Sequence, residues 1–142
     1  MVHYFREDTN FNFKNKRFNS AWLNEVAHNE GKVLGDINVI FCSDPYLLEI
    51  NRTYLKHDFY TDVITFDYCE GNILSGDIFI SVDTVKDNAS YYNVEFSTEM
   101  SRVIVHGLLH LIGYDDHTQE DQMVMREKEN FYIDLRSKLN NE

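Results

Sequence analysis

Three of the chain's six histidines, His106, His110 and His117, fall within the segment Val105 to His117. Residues four apart lie one turn apart on one helix face, so the imidazoles of His106 and His110 can reach a single point in space. Zinc binds imidazole nitrogen at about 2.0–2.1 Å and takes about four ligands in a tetrahedron. Gly113 breaks the helix and lets the chain fold back, so that a residue from 115 to 117 supplies a third ligand. Asp116, with a carboxylate oxygen, and His117, with an imidazole nitrogen, both qualify. Three protein ligands leave one position open, which is the arrangement of a catalytic zinc site and not of a closed structural one. Asp115, or whichever of Asp116 and His117 is not a ligand, is a candidate to carry a proton.

A lone histidine on an apolar helix face is usually an ordinary core residue. Two at helical spacing, followed by a glycine exit and a third candidate ligand, favour a metal. Val103, Ile104, Val105, Leu108, Leu109, Leu111 and Ile112 would bury this helix. Buried imidazoles need partners, and a cation is one. In H-E-x-x-H peptidases the residue after the first histidine is the general base. Here it is Gly107, which has no side chain, although ligands at 106, 110 and 116 with Gly113 between them otherwise match the longer zincin spacing. A zinc peptidase is therefore disfavoured.

These side chains need a scaffold. Val2–Phe5 reads as a first strand. Lys16–Gly31 has helical spacing, with Phe18, Trp22 (or Leu23) and Val26 on one side. A strand follows over Val33–Cys42, then a helix capped by Ser43, with Pro45 near its first position, running to about Tyr54. Val63–Tyr68 and Gly76–Ser81 are rich in β-branched and aromatic residues and read as strands, with Gly71-Asn72 marking a turn before the second. A short helix is expected over residues 82–93, then a longer one capped by Ser97 and ending at Ile112. Thr118-x-x-Asp121 resembles a capping box that opens a last helix carrying Val124, Phe131 and Leu135. Strands dominate before residue 82 and helices after it. This order predicts an α+β fold: a single zincin-like domain over residues 1–142, with a small mixed sheet packed against several helices.

Length and composition bound the rest. The 142 residues suit one domain, and 43% hydrophobic content with ten Phe and nine Tyr supports a real core. No apolar run approaches the roughly 20 residues that span a bilayer, and no leader or anchor is visible, so no membrane partner is expected. Cys42 and Cys69 form no C-x-x-C pair and read as reduced thiols in the cytoplasm. Thirteen Lys and Arg against 24 Asp and Glu give a net charge of -11, which repels a phosphate backbone at long range. Lys14, Lys16 and Arg17 form the densest basic cluster and read as a solvated helix start. Arg102 lies one turn before His106, where it could meet a phosphate or simply pair with Glu99. Asp77 either faces the site or ends a turn, and His3 and His28 read as structural or superficial.

His106-Gly107-Leu108-Leu109-His110-Leu111-Ile112-Gly113-Tyr114-Asp115 resembles the H-G-x-L-H-L-x-G-Y-D-H signature of the YbeY family of ribosomal RNA maturation factors. Two further blocks agree: Asn51-Arg52-Thr53-Tyr54 continuing to Thr61-Asp62-Val63-Ile64-Thr65-Phe66, and Gly76 to Ser81. The resemblance implies a zinc-dependent, single-strand-specific endoribonuclease with one zinc per chain. It further implies a role in 3′-end maturation of small-subunit ribosomal RNA and in ribosome quality control, with the small ribosomal subunit and ribosomal proteins as partners. Two positions depart from the family pattern. Its third histidine aligns with Asp116, one residue before His117, and Leu55 stands where many members carry an RNA-handling Arg. That role is then either absent or passed to Arg52, Lys56 or His57. The competing expectation is a ribosome-assembly factor whose zinc is only structural, since an acidic surface suits basic ribosomal proteins.

Overall fold

The computed structural model describes residues 1–140; Asn141 and Glu142, the end of the expected domain span, lie outside the described residues. Among the described residues four strands and five helices follow in the order β1 (Val2–Glu7), α1 (Lys16–Asn29), β2 (Val33–Cys42), α2 (Asp44–Leu55), β3 (Val63–Asp67), β4 (Ile73–Ser81), α3 (Val82–Tyr92), α4 (Phe96–Ile112) and α5 (Gln119–Asn140). The sheet order is β1-β2-β4-β3. The first three strands in that order run parallel, and β3 returns antiparallel along the outer side of β4. The fold is α+β with a mixed sheet, as the order of elements predicts.

Alternation along the strands divides the sheet into two packed faces. Ile37, Val39, Phe41, Ile78 and Ile80 join Trp22, Leu23 and Val26 of α1 and the apolar side of α4 in the main core. On the other face, Cys42 and Ile64 pack with Leu47 of α2 and with Phe66 and Phe79. Burial, reinforced by the charges of Asp44 and Asp83, pushes the Cys42 thiol up to about 12, which keeps it protonated and inert.

Local chemistry explains most of the boundaries. Ser43 accepts a hydrogen bond from the Tyr46 N–H at 3.2 Å, and Ser81 does the same for Thr84 at 3.2 Å, which starts α2 and α3. Thr118 and Asp121 form the reciprocal box expected of them at 3.0 and 3.4 Å. Two expectations need correction. Helix α4 begins at Phe96 with Glu95 as its cap, and Ser97 is already helical, with its carbonyl accepting from the Ser101 hydroxyl at 2.8 Å. Strand β4 begins at Ile73, because the turn at 71–72 closes at once and Val33 N–H donates to Asn72 O. The buried stripe of α5 holds Met125, Glu129 and Tyr132, whereas Val124 and Phe131 face solvent.

Candidate metal centre

Helix α4 lies across β4 and β3, and its contact with β4 sets where the histidines point. Gly107 faces the sheet: a Cβ there would sit 2.7 Å from Ile78 Cγ2, so the helix approaches the strand at a distance no larger residue allows. The position that a peptidase fills with glutamate is closed by packing. With Gly107 turned inward, His106 and His110 emerge side by side toward the β3 edge.

Their Nε2 atoms lie 3.0 Å apart. Beyond Gly113, whose φ of 126° turns the chain, Tyr114 N–H donates back to Leu109 O and closes the helix end. The returning segment brings Asp116 Oδ2 to 3.5 Å from each histidine Nε2. These three atoms form a possible metal-holding group among the described residues. Metal bonds of about 2.0–2.1 Å at tetrahedral angles place ligand atoms about 3.3–3.4 Å apart, so the donor set fits a zinc-sized divalent ion. Of the two candidates for the third ligand, Asp116 joins the group. His117 is exposed and lies along the cleft outside it.

The ring of His106 is held from behind. Its Nδ1 lies 2.7 Å from Glu129 Oε2, and Glu129 is only 5% exposed. The other Glu129 oxygen accepts from Arg102 Nη1 at 3.2 Å, and Arg102 Nε lies 3.6 Å from Glu99. A carboxylate on Nδ1–H leaves the Nε2 lone pair free for a metal. Burial works to lower the His106 pKa, but the Glu129 hydrogen bond and the charges of Glu129, Asp62 and Asp116 outweigh it and raise the value. His110 moves the other way, held low by burial and by the facing His106.

The three atoms sit on the wall of a cleft of about 350 Å³, lined also by Asn51, Leu55, His57, Phe59, Asp62 and Thr65. Its far side is the segment between α2 and β3. Buried Asn51 pins it by donating to Phe59 O at 2.8 Å and by accepting His57 N–H at 3.1 Å. His57 stacks on Phe59 with ring centroids 5.1 Å apart. Burial raises the Asp62 carboxyl above the ordinary range, although His106 pulls it down.

The other expected site residues lie elsewhere. Asp115 is exposed and does not line the cleft. Arg52 pairs with Asp58 and Glu49 at the surface, and Lys56 Nζ rests 3.3 Å from Thr53 O. Arg102 is behind His106, bound to acids and not open to a ligand in the cleft. Asp77 accepts from Asn38 at 3.0 Å within the sheet. Only His57 of the four RNA-handling candidates lines the cleft. Sequence reasoning passed over Glu129 and Asp62. Asp62 stood inside a recognised block, whereas Glu129 lies on a different helix, where no spacing rule ties it to His106.

Comparisons with known proteins point to one family. The family model described as Endoribonuclease YbeY matches residues 3–136. A protein of Parabacteroides distasonis named Endoribonuclease YbeY is 48% identical over 129 residues, covering 91% of each chain. One of the same name from Bacteroides thetaiotaomicron is 50% identical over 121 residues, 85% of this chain and 88% of that one. The solution structure of TM1509 from Thermotoga maritima superposes with a TM-score of 0.67 at 30% identity, over 96% of this chain and 89% of that one. With α4, its two histidines and the returning aspartate in place, and near full-length relatives of one name, the chain belongs to the YbeY endoribonuclease family of hydrolases.

Proposed function

We propose that this chain is a zinc-dependent, single-strand-specific endoribonuclease that matures the 3′ end of small-subunit ribosomal RNA in the cytoplasm. The small ribosomal subunit and ribosomal proteins would be its partners. The observation that carries the reading is the convergence of His106, His110 and Asp116 on the wall of an open cleft. Zinc bound there would polarise a phosphoryl oxygen and favour deprotonation of an attacking oxygen. The protein does the rest. Glu129 and the glycine-tight contact of α4 with β4 keep the ligand rings aimed. The stacked His57–Phe59 pair offers a flat surface to a splayed base. Asp62, raised by burial and lining the same cleft, takes the proton-carrying role first given to Asp115.

A purely structural zinc is less well supported. Helix α4 is already fixed by a large apolar core, and Asp116 comes from a half-buried turn, so the ligands need no ion to hold the fold together. The test is His110→Ala. It is expected to abolish bound metal and RNA hydrolysis while circular dichroism and cooperative unfolding stay close to wild type. Unfolding of the variant would favour the structural role, and undiminished hydrolysis by a metal-free preparation would end the zinc-dependent reading.

A further inference from the structure

The metal cleft has no Lys or Arg in its lining, yet an RNA strand carries a negative charge at every phosphate. Cations for that strand are found at the opposite edge of the sheet. Two adjoining cavities of about 280 and 340 Å³ share Phe11, Asn12 and Phe13. Arg6 and Lys16 line the first, Lys14 and Arg136 the second. No residue lining either cavity is acidic, in a chain with 24 Asp and Glu. Among the described residues none of these four cations forms an ion pair.

Arg136 is the least ordinary of them. Its guanidinium carbon lies 5.1 Å from the Phe18 ring centroid and 5.6 Å from that of Trp22, and its Nε donates to Asn19 Oδ1 at 3.2 Å. A half-buried guanidinium fixed by two rings and a neutral amide carries a charge that nothing nearby cancels. Aromatic groups complete the surface. Phe5, 51% exposed on the edge strand β1, lines the first cavity, and the partly buried rings of Phe11 and Phe13 line both. Interleaved rings and cations suit unpaired nucleotides, whose bases stack while their phosphates are neutralised. Lys14 and Lys16, expected to be no more than a solvated helix start, belong to this surface.

We infer that this basic, aromatic groove holds single-stranded RNA at a distance from the metal centre, an inference that rests on the nuclease reading above for its substrate class. Arg6 is paired with Phe41, Phe41 with Ile80, and Ile80 with Val63, which lines the metal cleft, so three strand spacings, about 14 Å, separate the two sites across the sheet. Phe41 and Ile80 are buried beneath the helices, so an RNA long enough to pass around the sheet engages both sites, and a very short one engages only the cleft.

The experiment compares the zinc-loaded protein with Arg6→Gln/Lys14→Gln/Lys16→Gln, three exposed positions. Binding of an unstructured RNA of about 16 nucleotides is followed by salt titration, alongside cleavage of an RNA of about 4 nucleotides. Losing three phosphate contacts reduces the log–log salt slope by about 2, so wild-type affinity falls about twentyfold more than the variant's between 50 and 200 mM salt. Cleavage of the short RNA and metal content stay unchanged. A separate Phe5→Ala variant weakens long-RNA binding with the slope preserved, because it removes stacking and not charge. Equal affinity and slope for wild type and the triple variant would overturn the groove and leave the cleavage reading intact. Salt-dependent binding of long RNA without cleavage of either RNA would leave the groove standing and remove the nuclease.

Discussion

His106 has two jobs for one ring: Nε2 faces the candidate metal position and Nδ1 faces Glu129 at 2.7 Å. If the carboxylate fixes the tautomer, Glu129→Gln should weaken metal affinity by about 10–100-fold, as loss of such partners typically does. Competition with a chelating dye would measure it. His117 offers the complementary control. Asp116→Asn should lower metal affinity, whereas His117→Ala should leave it near wild type, because the Asp116 oxygen alone joins the two imidazole nitrogens. Equal losses in the two variants would return the third ligand to His117.

At the scale of the element, the α4–β4 contact governs the site. Alanine normally stabilises a helix relative to glycine by about 1 kcal/mol. Gly107→Ala should do the reverse, because the new methyl meets the fully buried, β-branched Ile78 at 2.7 Å and overpacking costs about 1–3 kcal/mol. A urea titration showing a stabilised variant would contradict the packing described here. What the sequence made legible follows the same logic. The histidine pair, the glycine exit and the Thr118–Asp121 box are local patterns, and each appears where its spacing puts it. Misreadings came where tertiary contacts decide. Ser97 looks like a cap, but the helix runs on to Phe96. Helix α5 buries Met125, Tyr132 and the charged Glu129, while Val124 and Phe131 stay exposed. A buried glutamate contradicts any hydrophobic pattern, and its partner lies 23 positions earlier on another helix.

Across the whole molecule, Glu30 ties the C-terminal end of α1 to the turn that carries Asp116. Its carboxylate accepts from the hydroxyls of Tyr114 and Tyr132 and pairs with Lys128 at 3.1 Å. Burial alone would raise its pKa, but these donors outweigh burial and depress it below 4.5. A depressed carboxyl stabilises the fold fully above its unfolded value and loses that contribution as pH falls through the folded one. Glu30→Gln should therefore lower stability at neutral pH and flatten the acid limb of stability below about pH 4.5, read from unfolding at stepped pH. Among the described residues no helix is long and apolar enough to cross a membrane. The charge of -11 is also a property of the whole chain, and its uneven placement leaves the metal cleft dependent on a bound cation to meet a phosphate. The most direct test of the central claim pairs elemental analysis of freshly purified protein with single-stranded RNA cleavage before and after chelation. Two imidazoles and a carboxylate around one point predict about one zinc per chain, cleavage lost with the metal and restored on its return. Cleavage that persists at full rate after the metal is stripped, or a folded protein that retains no stoichiometric metal, would contradict it.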